Sequence, residues 1–465
     1  MVHNRKRDLC NGPILSNMIV YALPLSATGL LQTLYNSADT AVIGRFAGPE
    51  SLAAVASTAK FINLLVNLFM GLSTGVLTVV ARHIGAKNGD STRRSVHTAI
   101  PLALICGAFL LVAGILLARP ALVWMGTGNG NVVVLDRAVL YTQIYFAGIP
   151  GFLLYNFAAA VLRAAGDTKR PLMYLTISGV SNVVLNLIFV IAFKMDVAGV
   201  ALATILSQYI SAVLVVRRLM KEKGDIRFTP KAMCLDRAQL REMMRIGVPS
   251  GINSSMFNIA NVILQVSFNS FGPLYVAGSG AAGQIENLLY TAITAFYTTT
   301  LAFTSQNFGA RKTRRIRRVL ALGHLINLVV CAVVCPIVVL FRMPLLSIFT
   351  TDPTSLKAGA ISVAVLMSSV VLDGAMNVQV AHLRGLGFSI VPMFNSMIGS
   401  CLLRILWVTL ILPEIGHTWF NLYLCYPVTW LITALAHVVY TLYADRILKR
   451  FPDAEQQPSA TDKIV

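Results

Sequence analysis

The chain has 465 residues, of which 56% are hydrophobic and only 12% charged, with 38 Lys and Arg against 19 Asp and Glu. A soluble globular chain carries roughly 25% charge, so the composition excludes that class and points to a membrane protein. A net charge of +19 would suit a nucleic-acid partner, but the placement of the basic residues in alternate loops sets that partner aside.

Apolar runs near or above the roughly 20 residues that a membrane-spanning helix needs cover 15–41, 52–81, 95–118, 138–162, 171–193, 199–219, 244–270, 276–305, 319–341, 358–383, 390–412 and 418–443. The predicted fold is an all-α polytopic membrane protein with twelve transmembrane helices in two six-helix lobes. The start, MVHNRKRDLCNGPIL, is basic, but the run after it is too long for a signal-peptide core and no small-residue cleavage site follows, so it is read as retained.

The first run closes on LYNSADTAVIGR (34–45), with Asp39 in its middle. On a straight helix Asp39 lies about 36 Å beyond Leu15, in the outer part of the membrane. Tyr35 and Asn36, one turn earlier, are candidates for a substrate cavity. The second run carries Lys60 about 12 Å in and then GLSTG (71–75), which reads as close helix packing because no strand precedes it. In the fifth, SNVVLNLIF sets Asn182 and Asn186 on one helical face, about 16 and 22 Å beyond Pro171. The sixth runs back inward and presents Thr204 about 8 Å below its outer end, at a similar level. An acid, two amides and a hydroxyl thus share one layer. Oxygen ligands of this kind suit Na⁺ or a proton-linked hydrogen-bond network.

The longest internal polar stretch, RRLMKEKGDIRFTPKAMCLDRAQLRE (217–242), is a basic linker expected to form a short cytoplasmic surface helix. It separates an amino-terminal lobe (1–219) from a carboxy-terminal lobe (244–443), with the linker over 220–243 and a polar tail over 444–465. In the second lobe, Asn253 is a cavity candidate, Glu286 lies about 15 Å into its helix and Asp373 about 22 Å into its own. Asp39, Glu286 and Asp373 are the three acids inside predicted spans, and an ionised group at the bilayer centre costs about 2.5–3.5 kcal/mol even on the lenient insertion scale, so such groups face a partner or a watery cavity. Lys60 and Glu286 occupy near-equivalent positions of the two lobes and are expected to face a central cavity and pair in one state.

The lobes repeat. Aligning Pro24 with Pro249 sets VYALPLSATGLLQTLYNSADT beside RIGVPSGINSSMFNIANVILQ; HIGAKNGDSTRRSV then matches NFGARKTRRIRRVL, and LRAAGDTKRP matches LRGLGFSIVP. The offset spans an even number of helices, so the repeats are parallel, as in transporters whose halves rock about a midplane site. With the amino terminus inside, 30 of the 38 Lys and Arg fall in cytoplasmic loops, tails and the cytoplasmic ends of runs (Arg217, Arg218 and Arg245), 6 outside and 2, Lys60 and Arg404, deeper within spans. This places both termini in the cytoplasm and the protein in the plasma (inner) membrane.

The seven cysteines form no CxxC pair and the histidines no metal spacing, so no metal site and no cofactor beyond a coupling ion, H⁺ or Na⁺, is expected. The expected partners are small organic substrates and membrane lipids, with the chain working as a monomer. Three alternatives compete with transport of small molecules. A lipid-linked precursor flippase would want extra spans or a strongly cationic cavity. A polyprenyl transferase would want clustered aspartates for Mg²⁺, whereas the three membrane acids lie on three helices. A structural or receptor-like bundle predicts no substrate flux.

The order of ALP (22–24), LYNSADTAVIGR, SLAAVAS (51–57), GLSTG, IGAKNGD, RAAGDTKRP and RGLG resembles the multidrug and toxic compound extrusion (MATE) family, in its bacterial NorM and DinF-like form, over nearly the whole chain. The resemblance implies export of organic, often cationic compounds in exchange for H⁺ or Na⁺. It also implies that Asp39 is the amino-lobe coupling acid with Asn182, Asn186 and Thr204 as companions, and that Asp373 matches the acid of the tenth helix. The sequence departs from part of the family at Asn186, where relatives carry a second aspartate, and near Asn253, where some carry a glutamate. With one carboxylate fewer, the proton reading gains over Na⁺.

Overall fold

The computed structural model describes residues 7–127 and 131–448; Arg5, Lys6, the side chain of Lys60 and the tail beyond 448 lie outside the described residues. The described residues are built on twelve long helices. They are α1 (Ile14–Val42, prolonged by a π segment, Ile43–Ala47), α2 (Pro49–Gly85), α3 (Gly89–Trp124), α4 (Val132–Ala164), α5 (Lys169–Leu187, prolonged by a π segment, Ile188–Ala192) and α6 (Asp196–Met220). After the linker come α7 (Arg237–Asn269), α8 (Pro273–Gly309), α9 (Thr313–Leu340), α10 (Pro353–Gly385), α11 (Ile390–Ile415) and α12 (Cys425–Leu448). Ten of these are long and apolar enough to cross a membrane. The other two, α7 and α8, fall short because they carry polar side chains along their length, such as Asn253, Asn258 and Gln265 on α7 and Gln284, Glu286 and Asn287 on α8.

Most helices overrun the apolar stretches that announce them, because a helix continues its backbone hydrogen bonds through the polar interface until a cap stops it. The caps repeat between the halves. Gly48 (φ 85°) and Gly272 (φ 93°) each precede a proline that opens a helix. Gly166 (φ 83°) and Gly387 (φ 94°) end α4 and α10 with the same pair of backbone bonds, to Arg163 and Leu162 in one case and to Arg384 and Leu383 in the other. That left-handed turn favours glycine, which explains why LRAAG and LRGLG look alike. Lys87 (φ 52°) and Arg311 (φ 54°) close α2 and α8 in the same left-handed conformation without glycine.

The chain divides into two compact units. One contains Leu23–Gly251; the other contains Leu9–Ala22 and the residues from Ile252 onward. In the first, α4 packs on α2, α3 and α6; in the second, its repeat partner α10 packs on α8, α9 and α12. The first unit also holds the start of α7, against which GLSTG is pressed. A Cβ on Gly71 would stand 2.0 Å from the Gly251 nitrogen, and one on Gly75 would stand 2.3 Å from the Met243 carbonyl. Gly71→Ala forces two backbones apart, and we expect a loss of about 2 kcal/mol or more, read as a lower Tm of the purified protein in detergent. Gly280→Ala, where a Cβ meets nothing within 4 Å, is the control and leaves Tm unchanged or raises it slightly.

The linker forms only a single 3₁₀ turn, Pro230–Ala232, in place of the expected surface helix. It is held instead by its own contacts within the first unit. The Phe228 ring lies 5.5 Å from that of His97, the Thr229 amide donates to His97 Nε2 at 3.1 Å, and the Asp236 amide donates to Thr98 Oγ1 at 3.2 Å. Pro230 and the charged residues around it favour such an extended, side-chain-anchored path over a helix.

Candidate functional site

Asp39 sits three residues before the end of α1, where the helix widens into its π segment. Asn186 sits one residue before the end of α5, where that helix widens too. A π turn inserts one residue into the helical ladder, and such turns concentrate at functional sites. The consequence here is that two helix ends bring an acid and an amide together.

Asn186 Nδ2 donates to Asp39 Oδ1 at 2.5 Å and lies 3.3 Å from Asn182 Oδ1, its neighbour one turn back. Asn182 Nδ2 reaches Thr204 Oγ1 on α6 at 3.5 Å, and Thr204 Oγ1 lies 3.5 Å from Asp39 Oδ2. The four side chains that the sequence places in one layer therefore form a closed ring. Asn182 and Asn186 are buried, while Asp39 and Thr204 keep partial exposure. The Thr204 hydroxyl has a single hydrogen, and its shorter bond, 2.9 Å, goes to the Val200 carbonyl. The long contact to Asp39 is thus better made by a proton on the acid.

The charge of Asp39 is not balanced within the ring. Among the described residues no Lys, Arg or His pairs with it, and its partners are two amides and a hydroxyl. Asn186 Oδ1, fully buried, also has no hydrogen-bond partner. The carboxylate and the amide and hydroxyl oxygens around it are ligands that suit a proton or a small hard cation at Asp39. Two residues that the sequence does not single out, Tyr141 and Tyr145 of α4, lie within electrostatic reach of Asp39.

Tyr35 and Asn36 separate in the structure although they are adjacent in the chain. Tyr35 lies on the same face of α1 as Asp39, four residues on; its hydroxyl donates to the Thr176 carbonyl of α5 at 3.4 Å, and its ring lies flush on Gly179. Asn36 is exposed. Neighbours on a helix are about 100° apart, so only one of them can face α5.

In the other unit, Asn253 and Asp373 are buried, and Glu286 is half-buried. Asn377 Nδ2 donates to Asp373 Oδ2 at 3.2 Å. Asp373, Glu286 and Arg404 lie within electrostatic reach of one another. The sequence gives Arg404 no role beyond being a cation inside a span, although that position is as costly as an acid's and is itself the signal.

The MatE family profile matches residues 24–188 and again 249–409, and the two matched stretches begin on the prolines that align the internal repeat. Among curated relatives, the chain is 24% identical over 383 residues to the Bacillus subtilis protein named probable multidrug resistance protein YoeA, covering 81% of this chain and 82% of that one. It is also 24% identical over 417 residues to a FAD transporter of Shewanella oneidensis, covering 87% and 89%. Among solved structures, it superposes on a MOP superfamily transporter from Pyrococcus furiosus with a TM-score of 0.88 at 21% identity, over 95% of this chain and 98% of that one.

Proposed function

The chain belongs to the MatE family of multi-pass membrane transporters, and on that premise we propose that it is a secondary active antiporter that exports small amphipathic, often cationic organic compounds in exchange for protons. The observation that carries this reading is the ring around Asp39, a carboxylate inside a membrane helix with amide and hydroxyl partners and, among the described residues, no cationic one. Relatives named for multidrug resistance or export support the cargo class. The preponderance of Lys and Arg in alternate loops supports an inner-membrane location with both termini cytoplasmic.

In this mechanism Asp39 alternates between two states. Protonated on Oδ2, it donates to Thr204 Oγ1, whose own hydrogen stays on the Val200 carbonyl, and it accepts from Asn186 through Oδ1. The ring is then neutral and closed. Deprotonated, it holds an unpaired charge in a partly dry site, which favours a cationic drug or renewed protonation. The proton and the drug each drive alternating access only if the two faces of the transporter bind them with different affinity. A single carboxylate in the ring favours H⁺ over Na⁺, because a hard cation held by one anionic oxygen pair and neutral oxygens gains less charge compensation.

Efflux of ethidium from proteoliposomes under separately imposed ΔpH and Na⁺ gradients tests this. The wild type responds to ΔpH and not to Na⁺ alone; a Na⁺ gradient that drives full efflux at uniform pH would count against the proton reading. Asn186→Asp adds the second carboxylate beside Asp39, and its efflux acquires a several-fold stimulation by Na⁺ in the same assay.

A further inference from the structure

Arg404 lies inside α11 and is 3% exposed. It sits on a four-residue α turn, Leu403–Leu406, between two π segments, Met397–Leu402 and Trp407–Ile411. No other span among the described residues is interrupted twice in this way. Its guanidinium rests on one face of α12. The carbon Cζ is 4.5 Å from the Tyr426 ring centre and 5.5 Å from that of Trp430, and Nε donates to Thr429 Oγ1 at 3.3 Å. Residues 426, 429 and 430 are one turn apart, so they form a single seat.

No carboxylate of the described residues is bonded to this guanidinium, although Asp373 of α10 and Glu286 of α8 lie within electrostatic reach. Aromatic faces hold a cation by about 0.5–2 kcal/mol, a weaker hold than a desolvated carboxylate can offer. A π turn has one residue more than the α ladder needs, and moving that extra residue along the helix rotates the side chains it passes. Arg404 thus rests on the aromatic seat of α12, on a short α turn between two π segments, with the acid of α10 within electrostatic reach.

The two units contrast in how their buried acids are served. Among the described residues Asp39 has only neutral partners, whereas Asp373, 7% exposed, has an arginine within electrostatic reach on a helix segment flanked by two π turns. We propose that Arg404 is a tethered counter-cation for Asp373, doing within the chain what an imported ion does at Asp39, so that the carboxy-terminal unit neutralises itself and only Asp39 exchanges a proton in each cycle. Glu286 of α8 is the other carboxylate within electrostatic reach of the arginine. The other titratable groups near the pair are Tyr290 of α8, Cys331 of α9, Cys401 of α11 itself, and Cys425 and Tyr426 of α12. Apart from Glu286, none of these is a carboxylate that competes for the arginine.

The inference rests on the antiport reading, and the test separates the two. In proteoliposomes of the full chain, protons and ethidium are counted together under a fixed ΔpH, with and without added guanidinium chloride. Asp373→Asn keeps the wild-type proton-to-ethidium ratio. Arg404→Gln lowers the rate about tenfold or more, as expected when a buried acid loses its partner, and free guanidinium restores much of it. The double variant Asp373→Asn/Arg404→Gln recovers without guanidinium and does not respond to it. A ratio that falls by half or more in Asp373→Asn overturns the proposal, as does equal rescue of the single and double variants. Should Arg404→Gln fail to fold, the ratio in Asp373→Asn decides alone. Wild-type protein that moves ethidium without protons removes the antiport reading itself.

Discussion

Asp39→Asn yields a folded transporter that no longer concentrates its cargo. The amide is nearly isosteric with the acid, its oxygen still accepts from Asn186, and no buried cation is left without a partner, so the packing of α1 against α5 and α6 survives. What is lost is the change of charge. With one proton exchanged per drug molecule, each unit of ΔpH is worth about 1.4 kcal/mol, or about tenfold accumulation. The variant has nothing to exchange, so its steady-state accumulation ratio falls to about one at any ΔpH, while downhill exchange of labelled for unlabelled drug continues. Ethidium accumulation in inverted vesicles, measured as ΔpH is stepped, shows this directly. Accumulation by Asp39→Asn that still rises tenfold per pH unit would remove Asp39 from the mechanism.

The second large effect comes from a glycine. Gly179, Asn182 and Asn186 lie along one stripe of α5, and Tyr35 and Asp39 lie along one stripe of α1, so the Tyr35–Gly179 contact sets the register in which Asp39 meets Asn186. A Cβ on Gly179 would stand 1.8 Å from the Tyr35 ring, far inside any contact that a rotamer change relieves. Gly179→Ala pushes α1 off α5 and breaks the Asp39–Asn186 bond. We expect a destabilisation of about 1–3 kcal/mol and a loss of coupling approaching that of Asp39→Asn. Removing the ring restores the approach, so Tyr35→Ala/Gly179→Ala is more stable and better coupled than Gly179→Ala alone, a strongly non-additive pair. Tm and the accumulation ratio are both read. Wild-type behaviour of Gly179→Ala in both would show that this contact does not hold the site.

Much of this architecture is legible in the amino-acid sequence. Apolar runs, the placement of Lys and Arg and the internal repeat lead to twelve spans in two halves, and the layer of Asp39, Asn182, Asn186 and Thr204 follows from counting turns. Periodicity works there because each of those residues sits on a regular helix. It fails where the helix is irregular. The π segments after Asp39 and Asn186 and around Arg404 insert a residue without a shared composition signal, since IGRFA, IFVIA, MIGSCL and WVTLI have no pattern in common. The seat of Arg404 is hidden for another reason. Tyr426, Thr429 and Trp430 are spaced like any core-facing stripe, and only their distance from a residue on a different helix gives them a role. GLSTG can be read as a close-packing motif, but not its partner, because Gly247 and Gly251 lie across a separation of some 180 residues that no local pattern spans. The polar length of α7 and α8 points the same way as the cavity candidates on them, while the separation of Tyr35 from Asn36 depends on helix rotation.

Proton release on drug binding is the most direct measure of Asp39 as the group that proton and drug share. Ethidium is mixed with detergent-purified protein in weak buffer, and the protons released are followed with a pH indicator at saturating ligand. Wild type and Asp373→Asn release protons in the same amount as ethidium binds, and Asp39→Asn, which still binds ethidium, releases none. Undiminished release from Asp39→Asn would contradict the account.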